Sequence, residues 1–502
     1  MGIVKKQSFH NSLYLYIGLV LGSLSTIILF PSIFNSHPEH LGLLQIIVAY
    51  STVASTFSLL GSPQLLIRFF PIVKNKNQLI TLAFLIPIVG FLLLLFLFNI
   101  FKEDFLLFVK PNSLEKDEIR TYFLLKFNFH LVFLLVAFIA LFEVLSSLSY
   151  SLLRSSVPIF LKEVFLRTIN ILFLILHWFE YIDFPTFLKL YISSYLLITI
   201  LLTITIFKNH SIRIKYSFNE IKIKEVLTYG LYVLLGGVSA ILVSKVDMVM
   251  IGKFVGFKEV AYYTIAFFIG NVVRIPARAI AAISIPLIAK AWSNNDIKSI
   301  KDIYVKSSIN QLILGGLIFL GLWINIDDGL SLLPLKFKGG KLIVLFISIS
   351  QLFNISTGLN GLIISNSKYY KFDLYSNFIL LLITFFTNFI FIPVNSPLAN
   401  YDIVGINGAA FATALSVSFY NTTKLIYLYW KLKIQPFNIK TLYTILLLIS
   451  IITLSYFIPK FENLFVNISF RSFFVLIIFL PFTYWLKLSD DINKIIRESS
   501  LK

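Results

Sequence analysis

The chain has no cysteine among its 502 residues. A disulfide framework and a thiolate metal site are therefore excluded. Charge is scarce as well. Asp, Glu, Lys and Arg together make up 13% of the residues, where a soluble protein carries about 25%. So little charge cannot clothe a soluble surface of this size, which excludes a cytosolic enzyme, a secreted scaffold and a disordered chain. Acidic residues are the scarcer sign, 24 against 43 basic ones, for a formal charge of +19. In a soluble protein that excess would point to nucleic acid. Here the basic residues sit between apolar runs, so the excess reads as membrane topology. The sequence contains no P-loop, no H-E-x-x-H, no G-x-S-x-G and no D-x-D on a loop facing the membrane. Neither a cofactor nor ATP-driven machinery is expected. Of the six histidines, His37 and His40 flank Glu39 in a short turn; the three could hold a metal, but a solvated turn accounts for them far better and no metal site is assigned.

What is present is apolar: 58% of the chain is hydrophobic. A membrane-crossing helix needs about 20 mostly apolar residues. Such segments occur at 12–34, 41–63, 79–101, 123–150, 157–178, 186–207, 227–252, 260–289, 303–325, 341–364, 372–393, 404–430, 439–458 and 469–487. The expected fold is an all-α polytopic membrane protein of about fourteen transmembrane helices, with twelve as the rival count. The first segment is too long for a signal peptide and has no cleavage site. A barrel would show alternating segments of about ten residues instead. The longest connections, 102–122 and 208–226, leave no room for a soluble domain. With a cytoplasmic N-terminus, the inside segments carry 23 Lys and Arg, Lys215, Lys222 and Lys502 among them, and the outside segments carry 11. This obeys the positive-inside rule and puts both termini in the cytoplasm.

An internal duplication is visible. LFEVLSSLSYSLLRSSVPIFLKEVFLRTINILFLIL (141–176) and LFNISTGLNGLIISNSKYYKFDLYSNFILLLITFF (352–386) share a Leu-Phe read as opening a helix, a polar Ser-rich turn and a second helix. Gly18 and Gly237 likewise sit near the starts of their spans. Two six-helix halves in the same orientation follow, at 1–215 and 216–433, with 434–502 as two added helices and a tail. Chance similarity among Leu-rich helices is the alternative.

Ionisable residues inside the spans are the best site signal, because each costs about 2.5–3.5 kcal/mol to insert. Lys126, Lys189, Lys306 and Lys424 lie near span ends and can snorkel. Arg274 and Arg278, in GNVVRIPARAIAAISIP, stand four apart on one helix face around Pro276. Two like charges there call for a wet cavity or an anion, and guanidinium groups suit phosphate. Snorkelling from a tilted helix is the alternative. Arg167 follows Glu163 at the spacing of a local ion pair, so a structural pair and a ligand site stay open. Lys245 and Asp247 are two apart and do not share a face. Glu143 and Asp247 are carboxylates within spans and candidates for coupling to a proton or sodium ion. Arg167, Arg274, Arg278 and Lys245 are the candidate substrate-binding cations.

SKVDMVMIGKFVGFKEVAYYTIA (244–266), TNFIFIP (387–393) with VGINGAAFATALS (404–416), and HLGLLQIIVAY (40–50) with IRFFP (67–71) resemble the signature stretches of polysaccharide flippases. The resemblance spans most of 12–430. It implies the O-antigen and capsule branch of the multidrug/oligosaccharidyl-lipid/polysaccharide exporter superfamily. It further implies two six-helix lobes around a central cavity. The function implied is movement of polyprenyl-pyrophosphate-linked oligosaccharide from the inner to the outer leaflet of a bacterial cytoplasmic membrane, by alternating access. Implied partners are the lipid-linked oligosaccharide, membrane lipid, a coupling ion and a polysaccharide polymerase, with no nucleic acid. The lipid II branch carries an Arg–Asp pair in its first helix; residues 12–34 hold no charge, and Arg274 falls later in its helix than that branch's cation. Two alternatives stand: an ion-coupled multidrug antiporter of the same superfamily, and an integral-membrane glycan polymerase or ligase.

Overall fold

The computed structural model describes residues 2–112, 115–209, 213 and 223–499. His210, Lys215, Lys222, Lys502 and the lobe boundary expected at 215/216 lie outside them. All regular structure among the described residues is helical. In hydrocarbon no water is available to the backbone, and a helix satisfies its N–H and C=O groups internally. The long helices are α1 Gly2–Ser23, α2 Pro38–Leu59, α3 Lys76–Ile100, α4 His130–Ser151, α5 Leu166–Trp178, α6 Phe184–Asn209, α7 Ile223–Phe254, α8 Phe257–Asn271, α9 Ile275–Ser293, α10 Ile297–Ile324, α11 Lys341–Ser356, α12 Tyr370–Phe391, α13 Gly405–Leu432, α14 Ile439–Ser455 and α15 Leu464–Trp485. A helix or a broken pair of helices occupies each of the fourteen segments. Nine stretches among the described residues are long and apolar enough to cross a membrane, and α11 and α14 are shorter apolar helices. The protein is a multi-pass integral membrane protein.

Among the described residues, the first, fifth and eighth spans change helix type along their length. The first contains a π-helical stretch at Leu24–Leu29 and the fifth another at Phe160–Phe165. The eighth breaks into α8, a 3₁₀ turn at Val272–Arg274, and α9. Pro276 sits in the first turn of α9, where its missing N–H costs nothing. Arg274 and Arg278 therefore do not ride one continuous helix, as their spacing implies: Arg274 closes the 3₁₀ turn and Arg278 lies one turn into α9. The connection 102–122 is not plain loop either, but carries Lys102–Val109 and the start of Lys116–Phe127.

By internal contacts the chain divides into two compact units, Met1–Thr264 and Ile265–Lys502. In the N-terminal unit α4 packs on α2 and α6, and α2 on α3 and α7. Its core is a cluster around Leu65, Leu79, Leu145, Leu148, Ile198 and Leu202. In the C-terminal unit α13 packs on α11 and α12, and α10 on α9, α11 and α14. Ile309, Leu320, Ile451 and Phe479 fill one of its cores and Ile288, Ile300, Tyr304 and Ile363 another. In the N-terminal unit α4 packs on α6, and in the C-terminal unit α11 packs on α13. The sequence pattern puts Leu141-Phe142 and Leu352-Phe353 at helix starts; the structure puts the first pair midway along α4 and the second in the last turn of α11. The polar residues after each pair break the chain instead of the residues before it. Both breaks turn through a positive φ, 60° at Leu153 and 64° at Gly358.

Candidate functional site

In the C-terminal unit α9, α10, α12, α13 and the break after α11 enclose a cavity of about 420 Å³. Arg274, Arg278 and Lys424 line it together with one carboxylate, Asp373, and the side chains of Gln311, Asn354, Asn360, Asn377, Tyr420 and Asn421. Three cations against one carboxylate leave two positive charges in surplus.

The wall is fixed from α13. Lys424 is 1% exposed, and its ammonium bonds Asp373 Oδ1 at 2.5 Å and the Tyr420 hydroxyl. The Tyr420 hydroxyl donates to Asn377 Oδ1 at 2.8 Å, and Asn377 Nδ2 to the Asp373 carbonyl at 2.8 Å. One turn away Asn421 Oδ1 accepts from Thr357 Oγ1 at 3.2 Å and Asn360 Nδ2 at 3.1 Å. Gly361 admits this arrangement, since a Cβ there would stand 3.2 Å from Lys424 Nζ. Lys424 is thus no snorkelling lysine. It begins well inside α13 and is turned inward, because an unpaired ammonium in a dry interior costs several kcal/mol and Asp373 supplies its counter-charge. The two arginines behave oppositely. Both are exposed, and no hydrogen bond or ion pair among the described residues involves either one.

The N-terminal unit holds a second cavity, of about 390 Å³. Glu143 and Lys245 both line it, with Lys162. Glu143 is not a lone carboxylate: Lys162 Nζ lies 2.6 Å from its Oε1. Lys162 sits in the π-helical stretch of the fifth span, a feature often found at functional positions.

The remaining expected residues lie elsewhere. Arg167 lines neither cavity. Its guanidinium donates to Glu163 Oε2 at 2.7 Å and to the Gly18 carbonyl at 2.6 Å. A Cβ on Gly18 would approach the Glu163 carbonyl oxygen to 2.8 Å, so glycine is what lets the first span lie against this pair. Asp247 is 5% exposed and accepts from the Tyr263 hydroxyl at 2.6 Å. His37 Nδ1 is 2.9 Å from Glu39 Oε1, while His40 stacks on Phe184 with centroids 4.0 Å apart. Among the described residues Lys126, Lys189 and Lys306 are exposed.

Lys424, Asp373 and Lys162 are the residues that sequence reasoning missed. For Lys424 the signal was its distance from the end of its span, six residues by the sequence limits. Asp373 opens α12 and reads as an ordinary first-turn carboxylate.

With this geometry in hand, the chain can be set beside known proteins. Residues 190–309 match the family model for a polysaccharide biosynthesis protein. No curated protein matches the sequence. Among solved structures, a lipid II flippase MurJ in an inward closed conformation superposes with a TM-score of 0.73 at 15% identity, over 95% of this chain and 98% of that one. An inward-facing multidrug resistance MATE family transporter of the MOP superfamily superposes with a TM-score of 0.63 at 12% identity, over 83% of this chain and 98% of that one. The chain has the fold of the MOP superfamily. The outward-facing form of such a MATE transporter also matches, at a TM-score of 0.57 and 12% identity, over 86% and 96% of the two chains. The matched segment ties residues 190–309 to polysaccharide biosynthesis proteins, and the fold is one found in a lipid II flippase and in multidrug transporters.

Proposed function

We propose that the protein turns a polyprenyl-pyrophosphate-linked oligosaccharide from the inner to the outer leaflet of the bacterial cytoplasmic membrane by alternating access. The observation that carries this reading is the C-terminal cavity. A lipid pyrophosphate diester bears about two negative charges, and carrying them through hydrocarbon unaided is prohibitive. The cavity offers a surplus of two positive charges. Arg274 and Arg278 receive the pyrophosphate, since their forks are unspent and match phosphate oxygens. Lys424 holds the wall and adds to the positive field. The amide side chains beside them suit sugar hydroxyls.

Arg167 then secures the first span through Glu163 and Gly18. Its part in transport is to keep that span in place while the cavity fills. A coupling proton or sodium ion would act at Glu143, which faces a cavity, ahead of Asp247, which is buried against Tyr263. The halves 1–215 and 216–433 form the two lobes, fourteen spans put both termini in the cytoplasm, and a polysaccharide polymerase takes the product outside.

Purified protein in liposomes, supplied with a fluorescent lipid-linked oligosaccharide, tests the reading. The lipid should reach the opposite leaflet with no new glycosidic bond. Extrusion of an organic cation such as ethidium with no movement of the lipid would overturn it in favour of an antiporter. Orientation is checked with an introduced cysteine, which the native chain makes simple. Asn112→Cys should react with an impermeant reagent on intact cells, and reaction only in broken cells would reverse the topology.

A further inference from the structure

The N-terminal cavity has its own chemistry. Glu143 and Lys162 cancel each other at 2.6 Å. Lys245 also lines the cavity, half-buried, and no hydrogen bond or ion pair among the described residues reaches its ammonium. Two cations against one carboxylate leave a surplus of one positive charge, on Lys245.

Opposite charge is only half of what this wall presents. Thr52, Ser55 and Thr56 share one face of α2 and line the same cavity. Each hydroxyl has already donated its proton to its own helix: Thr52 to the Val48 carbonyl at 2.6 Å, Ser55 to the Thr52 carbonyl at 2.8 Å, and Thr56 to the Thr52 carbonyl at 2.9 Å. A hydroxyl has one donor and two acceptor positions. What these three have left to offer is therefore acceptors, arranged for a ligand rich in O–H donors. A ligand complementary to both features is a polyol bearing one negative charge.

We infer that the N-terminal cavity is a subsite for a carboxylated sugar, with the carboxylate on Lys245 and ring hydroxyls donating to Thr52, Ser55 and Thr56. A single carboxylate fits the surplus of one, whereas a phosphate monoester would bring a second, uncompensated charge. The inference rests on the transport reading above and adds to it a substrate class: oligosaccharides that contain a uronic acid or similar acidic residue. Lys245 sets that specificity, separately from the two arginines that meet the pyrophosphate.

The test uses the full chain in nanodiscs and two kinds of probe. The first is a lipid-pyrophosphate-linked disaccharide ending in glucuronic acid, compared with its carboxyl-reduced, neutral form. A charge-assisted contact should favour the acidic form by about tenfold. Lys245→Gln should bring the two forms to parity by weakening only the acidic one, and Lys245→Arg should keep most of the preference. The second probe needs no lipid. Methyl glucuronoside at high concentration should raise the thermal midpoint more than methyl glucoside does, in the native chain and in Arg274→Ala/Arg278→Ala but not in Lys245→Gln. Equal binding of both forms by the native chain, or a preference that survives Lys245→Gln, overturns the inference. Lys245-dependent preference for the soluble glucuronoside, with no movement of either lipid, would leave the subsite standing and remove the flippase reading alone.

Discussion

In the C-terminal cavity the buried cation is paired and the exposed ones are free: Lys424 lies 1% exposed against Asp373, while Arg274 and Arg278 stand open. In the N-terminal cavity the arrangement is reversed. Lys162, half exposed, is held by Glu143, and the half-buried Lys245 is free. The difference teaches what each cation is for. An exposed guanidinium stays hydrated at small cost and remains ready for a large anion that arrives with its own charge. A buried ammonium must have its counter-charge built in, so Lys424 belongs to the scaffold of its site. A half-buried ammonium without a partner is the expensive case, and it creates demand for an anionic ligand.

The largest effect expected from this contrast is on stability. Lys424→Met leaves the partly buried Asp373, 20% exposed, without its partner and should cost about 1.5–3 kcal/mol of unfolding free energy, measured by denaturation in detergent. Adding Asp373→Leu should recover most of that loss, because a pair replaced by apolar groups leaves no unsatisfied charge. A Lys424→Met variant as stable as the native chain would break the comparison. The equivalent change in the other cavity, Lys162→Met, removes a half-exposed pair and should cost about 1 kcal/mol or less. A larger loss there would show that the two pairs do the same job.

A smaller effect concerns coupling. Glu143→Gln should flatten the pH dependence of transport while leaving the protein inserted and its total abundance unchanged. Asp247→Asn should do less, because that carboxylate is committed to Tyr263. Transport by both variants with the native pH profile would mean that neither carboxylate carries the ion.

The smallest effects lie outside the spans and have opposite signs in the two units. Glu118, 2% exposed, accepts from the Phe257 N–H at 2.6 Å and the Lys258 N–H at 2.9 Å. Burial holds its carboxyl above the usual carboxylate range, in spite of these two bonds. Its contribution is therefore present below its unfolded value and is lost as pH rises through the raised one. Asp296 caps α10, accepting from the Ser299 N–H and hydroxyl, and these bonds hold it below its ordinary value. Its contribution is lost as pH falls. Thermal midpoints across pH should show Glu118→Gln removing part of the decline toward alkaline pH and Asp296→Asn removing part of the decline toward acid. The same sign for both would contradict the assignment.

The fold was legible because lipid imposes it. Runs of about 20 apolar residues have one structural solution, and each of the fourteen segments holds a helix. The breaks were less legible. Pro276 announces one, but the π-helical stretches at Leu24–Leu29 and Phe160–Phe165 hold no breaker residue themselves; Pro31 and Pro158 lie two residues from their ends. Arg274, Arg278, Glu143 and Lys245 stand out because a charge in an apolar run needs a reason. What could not be read was pairing across distance. The partners of Lys424 and Lys162 lie 51 and 19 residues away, and only the packing of one helix on another brings them together. Arg167 shows the converse: its partner one turn away was visible, and that local pair, with the Gly18 carbonyl, takes up both of its terminal nitrogens.

The central claim is that the open arginines of the C-terminal cavity meet the pyrophosphate. Its most direct test is the binding of a polyprenyl pyrophosphate carrying a neutral sugar to the native chain and to Arg274→Ala/Arg278→Ala, at equal abundance in nanodiscs and over a range of salt. The native chain should bind with an affinity that falls as salt rises, and the double variant should lose tenfold or more, on the order of two charge-assisted contacts. Arg→Lys at either position should keep part of the affinity, since a point charge still attracts phosphate. Native affinity and an unchanged salt dependence in the double alanine variant would contradict the claim.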